Sequence, residues 1–471
     1  MPQRIFITGY GIISCIGNNI AENLTSLLQS APGTGSLHHI DTVLQHEVLV
    51  GEVPSTRNEL FAMAGLAPAE GYSRNALLGI IAAREAFTHG RLDLNRELKT
   101  GLISATTVGG MDRCELYYQD FLTNDSQNAY IDSYDCADST EKIANLLGIQ
   151  DFVTTISTAC SSAANAIMLG ARMIRSGRLD RALVGGCESL TKFHLNGFNA
   201  LKILDKEPCK PFDQHRAGIN LGEAAAYLVL ESEDSIAKTG NEPMCELVGW
   251  GNSCEAFHQT ASSPDGIGAF MAMNSALEMS GLKAEEIDYI NAHGTGTDNN
   301  DLSEGRAIER LFGTHIPLVS STKPFTGHTT SAAGSTEAIL SIFCLQHGVV
   351  WPNLHFKERI SELNFSPVEK LMTDVPVNAV MSNSFGFGGN DTSLIFKKVN
   401  AGNAGNAGNA GNAGNADNAG NADNAGNAAN ADNAANADNA GNADNADNAD
   451  NADNADNADN AGNAGNAGSQ E

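Results

Sequence analysis

Arg4-Ile-Phe-Ile-Thr-Gly-Tyr-Gly11, close to the start of the chain, has a counterpart in Glu246-Leu-Val-Gly-Trp-Gly251. The first reads as a buried strand of β-branched residues that leads into a glycine turn. Two further stretches repeat in the same order. Gly101-Leu-Ile-Ser-Ala-Thr-Thr-Val-Gly-Gly110 resembles Asp288-Tyr-Ile-Asn-Ala-His-Gly-Thr-Gly-Thr297, and Val153-Thr-Thr-Ile-Ser157 resembles Pro317-Leu-Val-Ser-Ser-Thr322. Three matches in one order describe two copies of one α/β unit that meet near residues 235–245. In each copy β-rich runs alternate with helical patterns, which predicts helices layered on buried sheets. We expect a first half over 1–240, a second over 241–399, and a separate tail over 400–471.

The tail consists of Asn-Ala-Gly and Asn-Ala-Asp triplets. It has almost nothing to fill a core, so burial cannot offset the entropy of ordering it, and we expect disorder. It holds ten Asp, one Glu and no Lys or Arg, and so supplies much of the formal net charge of −28. The remaining body is still acidic, which argues against a broad nucleic-acid surface.

With 42% hydrophobic and 18% charged residues the body can build a large core. The nine cysteines are scattered singly, with no C-x-x-C pair. That argues against a disulfide framework or zinc ribbon and fits a reducing compartment. There is no H-E-x-x-H or paired Cys/His signature, so no catalytic metal is expected. The first residues lack the ordered parts of a secretory signal, and no run approaches the roughly 20 apolar residues of a membrane helix. A cytoplasmic protein without membrane insertion is expected.

Four motifs carry chemistry. Cys160 lies in Ser157-Thr-Ala-Cys-Ser-Ser-Ala163, between a strand and a helix whose apolar face is Ala164, Ile167, Met168, Ala171 and Ile174. A helix N-terminus favours a thiolate, the nucleophilic form. His293 follows a strand in Asn291-Ala-His-Gly-Thr-Gly-Thr297, with Asp301 and Glu304 placed to orient polar groups near it. His328 ends Lys323-Pro-Phe-Thr-Gly-His328, and Lys323 and Glu337 are expected to form a buried ion pair beneath it. Ser382-Asn-Ser-Phe-Gly-Phe-Gly-Gly-Asn390 suggests a turn whose N–H groups face a cavity. Each motif alone also fits a bland role: an inert buried thiol, a structural histidine or a glycine turn.

Together, and in this order, the four resemble the elongating β-ketoacyl-acyl-carrier-protein synthases and related polyketide ketosynthases, over about residues 1–399. The resemblance implies a thiolase-like fold, two duplicated α/β halves in a layered α-β-α-β-α body. It implies decarboxylative joining of an acyl chain to a malonyl unit. Cys160 would be the nucleophile, His293 and His328 the paired histidines, and Lys323 and Glu337 a supporting ion pair. Asp301 and Glu304 would be the carboxylates after the first histidine. Backbone N–H groups of Cys160 and Phe387 would form the oxyanion hole, Phe387 would also gate the site, and Val108 and Phe198 would line the acyl pocket. No organic cofactor is implied, because acyl carrier protein brings the acyl and malonyl thioesters on phosphopantetheine. A homodimer is the default and a heterodimer the main alternative.

Carrier proteins are typically acidic, and between Arg172 and Arg216 nine Lys or Arg face five acids. Arg178, Arg181, Lys202 and Lys206 are therefore expected to help dock the carrier. Three features depart from the fatty-acid pattern: Asn390-Asp391 replaces Thr-Asn, Ala217 and Ile219 stand where Asp and Phe are common, and the segment over 30–60 is short. A specialised polyketide or aryl-polyene enzyme is thus one alternative. A non-catalytic chain-length partner is a second, although such partners usually lack the cysteine. A degradative thiolase and an initiating synthase fit the histidine pair less well.

Overall fold

The computed structural model describes residues 3–399; the repeat tail, and the disorder expected of it, lie outside the described residues. The first half supplies strands β1 (Ile5–Ser14), β2 (Thr100–Ala105), β3 (Phe152–Ile156), β4 (Arg181–Glu188) and β5 (Ala224–Ser232). The second half supplies β6 (Cys245–Cys254), β7 (Tyr289–Asn291), β8 (Leu318–Ser320), β9 (Ala379–Gly386) and β10 (Asn390–Lys397). Hydrogen bonding orders them β8-β7-β9-β10-β6-β1-β5-β4-β2-β3. Read outward from the centre, the halves run β1-β5-β4-β2-β3 and β6-β10-β9-β7-β8. Each strand of the second half thus takes the place of the strand five earlier. The three stretches matched in the sequence are equivalent pairs in this arrangement: β1 with β6, β2 with β7, and β3 with β8.

The helices repeat in the same way. Between β1 and β2 lies α1 (Arg74–His89), between β2 and β3 α2 (Cys136–Leu147), and between β3 and β4 α3 (Ser162–Arg175). Their counterparts are α4 (Ile267–Ser280), α5 (Asp298–Phe312) and α6 (Ala333–His347). α3 and α6 pack against each other and touch strands of both halves, while α1 with α2 and α4 with α5 cover the outer faces. The result is the layered α-β-α-β-α body, with β1 and β6 joined only at Phe6–Glu246 and Ile7–Cys245. This middle layer explains the unusual sequence of α6. Ala333 to Leu345 is buried without interruption, so the helix has no need of a solvated polar face.

The glycines shared by β1 and β6 have a steric cause. A methyl group on Gly11 would collide with the Ala82 carbonyl in α1, and one on Gly251 with the Ala272 carbonyl in α4. Each outer helix therefore rests its backbone on a strand that has no side chain there. Gly251→Ala is expected to lower unfolding free energy by about 1–3 kcal/mol, the usual cost of overpacking a close contact. Denaturant unfolding checks this, and an unchanged midpoint would show that α4 does not sit so close.

Candidate active site

Cys160 lies on the turn between β3 and α3, two residues before the first helical residue, Ser162. The turn is tight: Ala159 takes a left-handed φ of 53°, and the Thr158 N–H donates to Ser162 Oγ at 2.8 Å. A polar network behind it fixes the turn to the opposite half. Ser161 Oγ and Asn165 Nδ2 both donate to Asn390 Oδ1 at 2.8 Å, and Asn252 Nδ2 reaches the same oxygen at 3.1 Å.

His328 stands on the equivalent turn of the second half, between β8 and α6. Its N–H donates to the Asn220 carbonyl at 2.7 Å, which sets its side chain against the first half. Nε2 then lies 3.1 Å from Cys160 Sγ. His293 follows β7, and its ring meets that of His328 edge-on with centroids 5.2 Å apart. The sulfur and one nitrogen of each ring lie within 4.8 Å of one another. Among the described residues this is also the one group of three His, Cys, Asp or Glu side chains close enough to hold a metal ion. The thiol and the two imidazoles that the sequence separates therefore share one pocket.

Lys323 and Glu337 form a buried pair, but the ring it contacts is that of His293 rather than His328. Lys323 Nζ donates to Glu337 Oε1 and to His293 Nδ1 at 3.2 Å. An ammonium group only donates, so His293 Nδ1 accepts and its proton sits on Nε2, toward the cavity. Glu304 accepts the N–H groups of His293 and Gly294 at 2.9 and 2.8 Å. Asp301 accepts the Phe212 N–H at 2.7 Å and the Gly296 N–H at 3.1 Å. These two carboxylates hold the backbone of the loop rather than the imidazole itself.

Burial dominates the electrostatics. It holds both histidines well below their usual range, with the Lys323 charge acting in the same direction. Both rings are therefore neutral near pH 7. Burial raises Glu337 and Glu304 to about 7. It also pushes the Cys160 thiol up to about 11, against the pull of Lys323 and of the Phe387 N–H. This corrects the thiolate expected from the helix N-terminus: desolvation outweighs the helix end, and the resting group is a thiol beside a neutral imidazole.

The three side chains line a cavity of about 250 Å³, whose wall also includes Phe198, Lys202 and Phe387. Phe198 and Phe387 stack with centroids 5.8 Å apart. Val108 does not line this cavity; it is buried beside Glu188, which accepts its N–H at 3.4 Å.

The docking residues separate. Lys202 is exposed at the cavity, and Lys206 is exposed and paired with Glu47 at 3.1 Å. Arg178 lies beyond the far end of α3, a 14-residue helix and so about 21 Å long. Arg181 is only 1% exposed and donates to Thr100 Oγ1 and the Leu92 carbonyl. It braces the sheet and cannot dock anything. Sequence reading also missed His194, which is buried with its ring 6.3 Å from that of Phe198, and the Asn165–Asn252–Asn390 network. Lone Asn and His residues far apart in the chain carry no spacing signal that would have paired them.

A duplicated five-layer fold with a thiol and two histidines at its centre defines a condensing enzyme of the thiolase-like class. Family comparison agrees. Residues 2–235 match the N-terminal domain of beta-ketoacyl synthases and residues 244–357 the C-terminal domain. The chain belongs to the β-ketoacyl synthase family and is an acyltransferase. It is 31% identical to a 3-oxoacyl-[acyl-carrier-protein] synthase 2 of Staphylococcus aureus, over 85% of this chain and 99% of that one. Among solved structures it is similar to the ishigamide ketosynthase/chain length factor, with TM-score 0.78 and 29% identity over 85% of this chain and 100% of that one. It is also similar to a ketosynthase in complex with its chain length factor from Xenorhabdus doucetiae. There the TM-score is 0.71 and the identity 31%, over 84% and 98% of the two chains.

Alkylation of Cys160 by iodoacetamide should accelerate steadily from pH 7 to pH 10, because its thiol is raised to about 11. Intact-mass kinetics would read the rate. A plateau already present at pH 7 would mean that a resident thiolate exists after all.

Proposed function

We propose that the enzyme loads an acyl group onto Cys160 and extends it with a malonyl unit, both delivered as thioesters on the phosphopantetheine arm of an acyl carrier protein. The observation that carries this reading is the Cys160–His328–His293 cluster in the wall of one cavity. In the loading step Sγ attacks the acyl thioester carbonyl while its proton passes to His328 Nε2, 3.1 Å away. The carbonyl oxygen becomes an oxyanion facing the Cys160 and Phe387 N–H groups. Its collapse expels the carrier thiolate, which takes the proton from His328.

In the second step the malonyl carboxylate leaves as carbon dioxide and its electron pair moves into the thioester enolate. The enolate oxygen needs donors, and His293 Nε2 carries a proton because Lys323 occupies Nδ1. His328 Nδ1 has no partner, so its proton is free to lie on Nε2 as a second donor. The enolate carbon attacks the Cys160 thioester, the carbon–sulfur bond breaks, and the Sγ thiolate takes a proton from His328 Nε2, 3.1 Å away, which solvent then replaces. One well-placed donor of this kind contributes about 3–4 kcal/mol to the barrier. The steps draw on no resident cofactor or metal.

A cytoplasmic setting and a dimer complete the proposal. Tyr118, Phe121 and Leu122 are exposed, Leu122 by 88%, which favours a partner surface on that side. A second copy is the first choice. The chain length factors named with the two solved structures make a heterodimer the other arrangement to test.

Incubation with malonyl carrier protein and a panel of acyl carrier proteins, followed by mass spectrometry, tests the chemistry. Wild type should show an acyl adduct on Cys160 and release a β-ketoacyl product. His293→Ala should still load but should condense about 10²–10³-fold more slowly. Undiminished turnover by Cys160→Ala would remove the proposal.

A further inference from the structure

The side chains that the reaction uses also make a set of metal donors, which the sequence scatters over positions 160, 293 and 328. His328 Nε2 stands 3.1 Å from Cys160 Sγ, and the sulfur and one nitrogen of each ring lie within 4.8 Å of one another. In a tetrahedral zinc site, with bonds of about 2.3 Å to sulfur and about 2.0 Å to nitrogen, neighbouring donors stand roughly 3.5 Å apart. The close pair would open by a few tenths of an ångström and the wider pairs would close by at most about 1.3 Å, shifts that side-chain rotation supplies. All three side chains line the cavity of about 250 Å³. An ion therefore has a way in, and a fourth coordination position opens onto water.

The donor set selects the ion. One thiolate and two imidazoles suit zinc, whereas magnesium and calcium call for oxygen. The carboxylates around the rings are engaged: Glu337 with Lys323, and Glu304 with the N–H groups of His293 and Gly294. Charge also balances. At rest the cluster is neutral, with a thiol, two neutral rings and the Lys323–Glu337 pair. A zinc ion enters as two protons leave to solvent. One comes from the Cys160 thiol and the other from His293 Nε2. Lys323 passes a proton to His293 Nδ1, 3.2 Å away, and stays as a neutral amine. His328 ligates through Nε2 with its own proton on Nδ1, the tautomer that also suits acyl loading. Two positive charges replace two, and the buried site stays neutral.

We propose that Cys160 Sγ, His328 Nε2 and His293 Nε2 of the unacylated enzyme form a reversible zinc site, and that zinc bound there competes with acyl loading. The competition rests on the proposed loading of Cys160: a thioester sulfur carries no charge to offer a metal, so the ion and the acyl group exclude each other. The ion is an inhibitor rather than a cofactor. A ligating histidine normally anchors its other ring nitrogen on a carboxylate or carbonyl, and a missing anchor costs about 10–100-fold in metal affinity. His328 Nδ1 has no such partner, so the zinc is exchangeable.

Full-length enzyme, stripped by a chelator, is titrated with zinc, with magnesium as the control, and with cobalt(II), whose spectrum reports its donors. Wild type should take up one zinc per chain that excess magnesium does not displace, and His328→Ala should lose that uptake. Cobalt should give the charge-transfer band of a metal–thiolate bond. Cys160→Ser and enzyme already acylated on Cys160 should lack the band, and Cys254→Ser, which removes an exposed thiol, should keep it. The Asp residues of the tail offer only oxygen, so zinc held there gives no such band. Two further readouts need no variant. Zinc at about ten times its dissociation constant should slow both acyl loading from a short acyl pantetheine thioester and Cys160 alkylation by iodoacetamide about tenfold, since one site in about eleven then stays free. A chelator should restore both rates.

A thiolate band that survives in Cys160→Ser, or that is absent from wild type, would overturn the proposal. So would alkylation and loading that are both unchanged at saturating zinc. If zinc blocks alkylation while acyl transfer is unaffected or never occurs, the acyl-loading reading fails and the metal site stands.

Discussion

The contact on which the site depends is the close packing of α3 against α6 in the middle layer. Gly334, in the first turn of α6, faces Ala164 in the first turn of α3, and a methyl group on Gly334 would collide with the Ala164 N–H. Because the helices occupy equivalent places in the two halves, so do the turns that lead into them. One turn carries Cys160 and the other carries His328. Backbone-close packing at the helix starts thus sets a thiol 3.1 Å from an imidazole across 168 residues of sequence. A larger residue at position 334 would part the turns before it disturbed any catalytic side chain.

Burial on this scale sets the chemistry. A desolvated thiolate would be costly, and Cys160 stays protonated at rest. The cost is deferred to the moment of attack, when a neutral imidazole is already in line to take the proton. One full ion pair, Lys323 with Glu337, is held beside the reacting groups. It brings no net charge, and its useful product is geometric: it fixes which nitrogen of His293 bears the proton. A lysine without its glutamate would be an uncompensated charge in the core, a strongly destabilising arrangement. The pair is therefore best regarded as one unit.

How much of this was legible in the sequence depended on the type of signal. The duplication showed because buried strands constrain every residue, so β1 and β6 kept their glycines and apolar positions. The reactive residues showed because a Cys or His amid small residues and glycines is chemically conspicuous. Arg181 was misread because a run of charges says nothing about which side chains enter the sheet. The Asn165–Asn252–Asn390 network left no trace because its members pair only after the halves have met.

Symmetry also clarifies why the two halves are not interchangeable. The loops after β2 and β7 are equivalent, and in the sequence match Thr106 and Val108 stand where the second half has His293 and Thr295. Each loop has its N–H groups gathered by a buried glutamate, Glu188 for Thr107 at 2.9 Å and Glu304 for His293. The glutamates come from different elements, β4 in one half and α5 in the other, so the anchoring was solved separately on each side. What differs in consequence is the lining. The first half turns a threonine hydroxyl and an apolar valine inward around Glu188. The second presents an imidazole and a run of hydroxyls, Thr295 and Thr297, to the cavity. Of the two loops, then, it is the second that lines the cavity beside Cys160, while the first is closed around its own glutamate.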